Sequence, residues 1–488
     1  MKSPIISFER YELERDVLMH NAAQVAGGLE ALGVMAGDRV ALLLRNSIEF
    51  IETTLGIGMI GAFTVPINWH FTASEIGDLL QDCRPRAIFA HEDLTPLIPA
   101  EFSDKDRLII VGKDGSGDYA AWRDSTVSYA GEPRITPGSM VYTSGTTGMP
   151  KGVKREVPTP EQQRDIAAMR AALYRIDADS RVLIPGPLYH AMPNQMAIHA
   201  ARNAAYTLIM ARFDPEPFLA AIERERITTV GLAPIMFVRL LRLPEEVRMR
   251  YDLTSLRWAL HAGGPCAIDV KQAMIDWWGP IIGEYYGGTE TGPLTLCTSE
   301  EWLERPGTCG KPLEGTDLRL VGEDGADVAR GERGEIFGRT WCYPDFTYHN
   351  DDDKRRGVSL GPLVTLGDVG YQDEGGYLFL CDRRRDMIVS GGVNIYPAEV
   401  ESALFGLPGV EDCAVFGLPD PEYGESVAAF IVGRNLEGEA VRNALREKIA
   451  AYKVPRTILS IDSLDRDASG KVRKAKLRDR FAQMVTSS

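Results

Sequence analysis

From Glu14 to Tyr286 the chain alternates between two apolar rhythms, one of helical period and one of short strands, and this alternation limits the fold most. Glu14 to Leu32 carries apolar residues at helical spacing and stops at Gly33; Arg39 to Leu44 is a short apolar run; Ser47 to Met59 returns to helix; Thr64 to Ile67 reads as strand. Thr72, with Glu75 three residues on, is a capping-box pattern that opens the next helix. Apolar runs follow at Ala87–Ala90, Leu108–Val111, Val182–Ile184, Thr228–Leu232, Leu256–Ala262 and Ile281–Tyr286. Such alternation predicts α/β architecture, with parallel sheets flanked by helices.

After about residue 310 the pattern changes to short strands between glycine-rich charged turns, as in GEDGADVARGERGE. From Met387 a smaller α+β unit is expected, with strands at Asp412–Phe416 and Val427–Val432, a helix over Gly438–Tyr452 and a strand at Thr457–Ile461. The boundary falls near Arg384–Arg385, giving a large domain over 1–384 and a small one over 385–488. No internal repeat or low-complexity tract is present.

Of 488 residues, 54 are Lys or Arg and 69 are Asp or Glu, a formal net charge of −15. That balance argues against a nucleic-acid binder or an anionic-membrane binder, which need excess positive charge. The seven cysteines form no C-x-x-C pair and no metal or disulfide framework. Charges interrupt the start, MKSPIISFERYELERD, before a signal peptide could form, and the weakly polar stretch Thr54–Ile67 is too short to cross a bilayer. A cytoplasmic protein without membrane insertion is expected.

Two glycine-rich stretches invite a nucleotide reading. Gly56-Ile57-Gly58-Met59-Ile60-Gly61 fits G-x-G-x-x-G, but it ends a helix and runs into a strand, the reverse of a dinucleotide fingerprint. The second, Val141-Tyr142-Thr143-Ser144-Gly145-Thr146-Thr147-Gly148-Met149-Pro150-Lys151-Gly152, packs hydroxyls, glycines and one lysine together. Glycines let backbone N–H groups approach anionic oxygens, hydroxyls add donors, and Lys151 supplies a point charge. A polar surface turn is the plain alternative; the density favours phosphate binding. The spacing is not that of a Walker A loop.

The stretch YTSGTTGMPKG resembles the phosphate loop of the adenylate-forming enzymes: acyl-CoA synthetases, adenylation domains and luciferases. Further blocks follow in that family's order: Pro187-Leu188-Tyr189-His190, Ala262-Gly263-Gly264-Pro265, Tyr286-Gly287-Gly288-Thr289-Glu290, Gly367-Asp368-Val369-Gly370 with Asp382-Arg383-Arg384-Arg385-Asp386, Ser390-Gly391-Gly392-Val393-Asn394-Ile395-Tyr396-Pro397, and Ser469-Gly470-Lys471. Two departures stand out. The start is shorter than is usual in the family, which implies a missing edge strand, and Leu464-Asp465-Arg466-Asp467 stands where L-P-R-T is common.

The resemblance implies ATP, Mg²⁺ and CoA as partners of a carboxylic acid, with an acyl-adenylate between the half-reactions. Two anions must meet, so the chemistry asks for charge neutralisation and positioning. By resemblance, Thr143, Ser144, Gly145, Thr146, Thr147 and Lys151 would hold the β- and γ-phosphates, Thr289 the α-phosphate and Glu290 the metal. Gly263, Gly264, Tyr286, Gly287 and Gly288 would lie around the adenine, and Asp368 with Arg383 at the ribose. His190 would stand beside the acyl carboxylate, and Lys471 would bridge that carboxylate and the α-phosphate. Arg385 would be the hinge of a rotating small domain, and Gly391–Gly392 would line the pantetheine passage.

The acyl pocket is expected after His190 and around Trp258 to Gly264, with Met192, Asn194, Met196, Trp258, His261 and Ala262. Their mixed character fits a hydrophobic acid of medium size, either a ring acid or a fatty acid. Three outcomes stay open: an acyl-CoA ligase, a ligase passing the acyl group to an amine, and a non-catalytic or carrier-loading relative. Amino-acid activation is disfavoured, because Leu188-Tyr189-His190 stands where an acidic residue usually meets the α-amine.

Overall fold

The computed structural model describes residues 4–9, 11–104, 106–112, 118–143, 151–384, 386–390, 393–434, 436–466, 472 and 474–486. Ser144, Gly145, Thr146, Thr147, Arg385, Gly391, Gly392 and Lys471 lie outside these, and the side chain of Arg383 is likewise not described.

Among the described residues the largest sheet has nine strands. Its centre is parallel: Ile282–Gly288, Trp258–His261, Thr229–Leu232, Arg181–Ile184, Tyr206–Ile209 and Ile5–Phe8 lie side by side in that order. Antiparallel strands close both edges, Gly292–Cys297 with Lys311–Pro312 at one end and Tyr11–Glu14 at the other. A second, all-parallel sheet joins Phe63–Pro66, Arg39–Leu43, Ala87–His91 and Leu108–Val111. Buried on both faces, these strands read as apolar runs rather than alternating ones.

The two sheets share one core. Val40, Leu42 and Phe89 of the smaller sheet and Val182, Ile184, Trp258 and Leu260 of the larger belong to one buried cluster. Helices Arg15–Ala31, Ile48–Met59 and Ala191–Asn203 contribute to it. Gly56 explains the first glycine-rich stretch: a Cβ there would come 2.6 Å from the Ala22 carbonyl oxygen and 2.9 Å from Val25. It is a helix-packing glycine. On the opposite face of the large sheet, helices Pro215–Glu225, Pro234–Leu241 and Ile268–Trp278 build a second core around Phe218, Phe237 and Met274. The expected capping box is formed, with the Thr72 side chain accepting from Glu75 N–H and Glu75 accepting from Thr72 N–H.

Thr316–Val321, Gly334–Thr340, Ser359–Leu360, Leu363–Gln372 and Leu378–Arg383 make an antiparallel sheet. From Ile388 a further sheet forms around the hairpin Val410–Asp420 and Gly424–Gly433. Both of its strands outrun the expected Asp412–Phe416 and Val427–Val432, because pairing continues through Pro419↔Glu425 to Asp420↔Gly424, where Gly424 takes φ +80°. The helix expected to reach Tyr452 ends at Arg446, and Ala451–Lys453 is a 3₁₀ turn. Pro455 holds the preceding Val454 extended, so the chain must leave the helix before it. Arg466, in the block that departs from the family pattern, donates to both oxygens of Asp412 at 2.7–2.8 Å.

Filling the close contact at Gly56 should be costly. Gly56→Leu is expected to destabilise the chain by roughly 1–3 kcal/mol through overpacking, read as a lower urea midpoint with an unchanged slope.

Candidate active site

The ends of the parallel strands gather the expected site. Pro187–His190 follows Arg181–Ile184, Ala262–Gly264 follows Trp258–His261, and Thr289–Glu290 follows Ile282–Gly288. All three leave carboxyl ends of neighbouring parallel strands, where open α/β sheets form their ligand crevices. Opposite Glu290 runs a three-stranded ribbon of Val141–Thr143, Lys151–Arg155 and Phe346–Tyr348. Its register pairs Thr143 with Lys151, the residues that bracket the glycine-rich stretch.

Two hydroxyls converge on one carboxylate oxygen. Glu290 Oε1 accepts from Thr143 Oγ1 at 3.2 Å and from the Tyr348 hydroxyl at 3.1 Å. Lys151 Nζ lies 3.3 Å from Asp351 Oδ2. Behind the turn, Arg155 donates to the carbonyls of Thr289 (2.7 Å), Glu290 (2.9 Å) and Pro344 (2.7 Å), with its guanidinium over the ring of Tyr343 at 4.9 Å. Burial lowers the Arg155 pKa, against the pull of Tyr343 and Glu290. Its role was not legible in the sequence, where it is one basic residue in KGVKRE.

At the residues expected around adenine and ribose, the Tyr286 hydroxyl donates to Asp368 Oδ2 at 2.9 Å, and Asp368 pairs in register with Arg383. Gly263 has φ +90°, and a Cβ at Gly263 or Gly264 would meet no atom within 4 Å, so bare backbone faces the crevice. Gly287 and Gly288 have packing reasons of their own: a Cβ would come 2.2 Å from Gly292 O and 2.7 Å from Leu366, respectively.

His190 occupies the N-cap position of the helix Ala191–Asn203 without a side-chain capping bond, its ring 4.5 Å from that of Tyr189. The loop before it is held by Asn46, another residue the sequence did not single out. Asn46 Nδ2 donates to Gly186 O (2.9 Å) and Met210 O (2.8 Å), and its Oδ1 accepts from Leu188 N–H (2.8 Å).

The expected acyl residues divide. Met192 and Met196 sit over Gly231, with sulfurs 3.2 and 2.5 Å from where a Cβ would stand, and Trp258 lies across Gly283 in the same way. These side chains share the face of the large sheet that carries Tyr285. Asn194 is two residues from each methionine, hence about 200° around the helix, and it is buried away from Gly231. Ala262 ends its strand, donating to Leu232 O at 3.3 Å. His261 is three residues from Trp258, and strand alternation turns it to the other face. There it packs 5.2 Å from Phe237, and its Nε2 lies 3.4 Å from Glu284 Oε2.

That second face holds a buried ion pair. Lys271 Nζ, with no exposed side-chain surface, is 2.5 Å from Glu284 Oε2. Burial pushes the Glu284 carboxyl up, yet His261 and the Lys271 ammonium draw it below its usual range and keep it ionised. Burial drives the His261 imidazole down, against the pull of Glu284. Among the described residues no group of three or more His, Cys, Asp or Glu could hold a metal, and all seven cysteines are unbridged.

Comparison with known proteins shows the family. Residues 4–341 match the AMP-binding enzyme family and residues 399–471 the AMP-binding enzyme C-terminal domain. The long-chain-fatty-acid–CoA ligase FadD13 of Mycobacterium tuberculosis is 32% identical over 95% of this chain and 92% of its own length. A feruloyl-CoA synthase of an Amycolatopsis species is 33% identical over 95% and 93%. Among solved structures, ATP-bound MatB from Rhodopseudomonas palustris superposes with a TM-score of 0.88 at 26% identity, covering 98% of this chain and 96% of that one. The amide bond synthetase McbA from Marinactinospora thermotolerans gives 0.84 at 26% identity, covering 98% and 97%. The chain belongs to the AMP-binding enzyme family, the adenylate-forming enzymes, and within it is most like the acyl-CoA ligases.

The buried pair yields a stability test. Lys271→Met leaves a buried carboxylate without its partner and is expected to lose about 3–5 kcal/mol at pH 7. Adding Glu284→Gln should recover most of that loss. The sign with pH follows from the depressed carboxyl: the wild-type contribution is complete above the unfolded pKa of Glu and is lost as pH falls through the lower folded value. Urea midpoints of wild type, the single variant and the double variant at pH 7 and pH 4 check both statements.

Proposed function

We propose that the protein is an ATP-dependent ligase that joins a hydrophobic or ring carboxylic acid to CoA through an acyl-adenylate. The observation that carries this reading is the placement of Glu290 and Thr289 at a strand's carboxyl end, facing Thr143 and Lys151 across the crevice. The acid's carboxylate attacks the α-phosphorus of ATP, the bond to the β-phosphate breaks, and pyrophosphate leaves. Arg155 fixes the Thr289–Glu290 carbonyls, so the turn need not reorganise as charge develops. Tyr286 and Asp368 receive adenine and ribose, and His190 orients the acid's carboxylate.

Glu290 is suited to Mg²⁺, which proteins commonly hold through one or two carboxylates together with substrate phosphates. When bound there, the ion neutralises phosphate charge. In this reading Lys471 completes the adenylation arrangement, and rotation of 385–488 about Arg385 then brings Gly391–Gly392 to the passage for the thiol. The CoA sulfur attacks the acyl carbonyl, and AMP leaves with its bonding electrons. No helix among the described residues is long and apolar enough to cross a membrane; with its unbridged thiols the protein is assigned to the cytoplasm.

Delivery to an amine is the second reading, favoured by the likeness to McbA. Mass spectrometry of products from ATP, a panel of acids, and either CoA or simple amines separates the two. Thioester without amide is the expected result, and amide alone would overturn the preferred acceptor.

Two outcomes test the mechanism. Turnover should release pyrophosphate and AMP, and stoichiometric ADP would exclude it. Lys471→Ala should lower adenylation by roughly 10²–10³-fold, as for loss of a charge stabiliser in a closed site, while thioester formation from preformed acyl-adenylate changes little. Equal loss of both half-reactions in a folded variant would refute that division.

A further inference from the structure

The helix Pro160–Tyr174 covers the acyl face of the large sheet beside the helix that starts after His190. The Trp258 indole donates to the Leu173 carbonyl at 3.0 Å, and the Arg175 guanidinium lies 3.7 Å over that ring. The ring of Tyr174 is 5.7 Å from that of His199, joining the two helices. His199 is nine residues past His190, roughly 13 Å farther along the helix axis. Met192 and Met196 lie between them. The Tyr174–His199 contact therefore marks the end of the acyl face remote from the reacting carboxylate.

Arg170 stands one turn before Tyr174. Burial acts on it most strongly, and the groups next in influence are Tyr343, Tyr174 and Cys342, none of them a carboxylate. Its Nε is buried and has no hydrogen-bond partner, and the same is true of His199 Nε2. Among the described residues neither Arg170 nor the neighbouring Arg202 forms an ion pair. Burial, with the charges of Arg170 and Arg202, holds His199 down at about 4, so that imidazole is neutral at pH 7. Arg202 is exposed to solvent, whereas Arg170 has no carboxylate partner among the described residues, and its Nε and His199 Nε2 are both without a hydrogen-bond partner. Folded proteins seldom leave such groups unsatisfied, and a water, an ion or a ligand oxygen completes them.

We propose that Arg170, with His199 beside it, receives an oxygen at the far end of the acid. The preferred substrates are then carboxylic acids with a second oxygen function, a ketone or a second carboxylate, remote from the carboxyl that is adenylated. This rests on the ligase reading above and narrows its substrate class. The hydroxyls of Tyr174 and Tyr343, and Tyr285 near both, supply the aromatic wall around that oxygen.

The test measures pyrophosphate release by the full chain with matched acids. One series is decanoic, 9-oxodecanoic and decanedioic acid; the other is cinnamic, 4-acetylcinnamic and 4-carboxycinnamic acid. Hydrogen bonds to a charged group predict that kcat/KM for an oxygen-bearing member exceeds that of its unsubstituted parent by about tenfold or more. Arg170→Met should bring that ratio close to one, while Arg170→Lys keeps part of it for the diacid. Thermal midpoints establish that both variants are folded. A wild-type ratio of one or below would overturn the proposal. So would a loss in Arg170→Met that falls equally on all acids, or one that appears in KM for CoA instead. Those results leave the ligase reading standing. Absence of pyrophosphate release with every acid would sink the ligase reading and the proposal with it.

Discussion

The guanidinium of Arg155 is the contact on which the site depends. It joins the three-stranded ribbon to the end of the large sheet by binding the carbonyls of Thr289, Glu290 and Pro344 at once. Hydrogen bonds to a charged group contribute about 1.5–3 kcal/mol each, and removal of the cation would leave three carbonyls without that donor. The arrangement puts Thr143 and Tyr348, both ribbon residues, on the same oxygen of Glu290. Two anions have to be brought together here, and donors fixed in advance lower the reorganisation that this requires.

Strand direction decides where those donors can gather. Parallel strands deliver all their carboxyl ends to one edge, so segments far apart in sequence, near residues 187, 262 and 289, become neighbours. Glycine serves two purposes along that edge. Gly263 and Gly264 expose backbone, whereas Gly287 and Gly288 admit the close approach of Gly292 and Leu366. Similar motif letters therefore mean different physics at positions a few residues apart in space.

Charge is distributed in the same economical way. The chain carries a formal net charge of −15, yet the turn that carries Thr289 and Glu290 is held from behind by a buried cation, Arg155. Lys271 is a second buried cation, matched by Glu284 on the face of the sheet opposite Trp258.

The sequence by itself determined the alternating α/β order, the capping box at Thr72, the rejection of Gly56–Gly61 as a nucleotide loop, and the family. Each rests on local periodicity or on ordered motifs, which survive without knowledge of contacts. It also gave the residues at the strand ends, because those blocks are contiguous. What it could not give were side chains whose meaning comes from partners hundreds of positions away: Arg155 with residues 289, 290 and 344, and Asn46 with residues 186, 188 and 210. It also grouped Trp258 with His261, and Met192 and Met196 with Asn194. Only the tertiary structure separates them, since a strand turns every second side chain to the other face and a helix turns each residue by 100°. Facing direction is a property of packed layers, and the sequence names the residues without saying which layer each will meet.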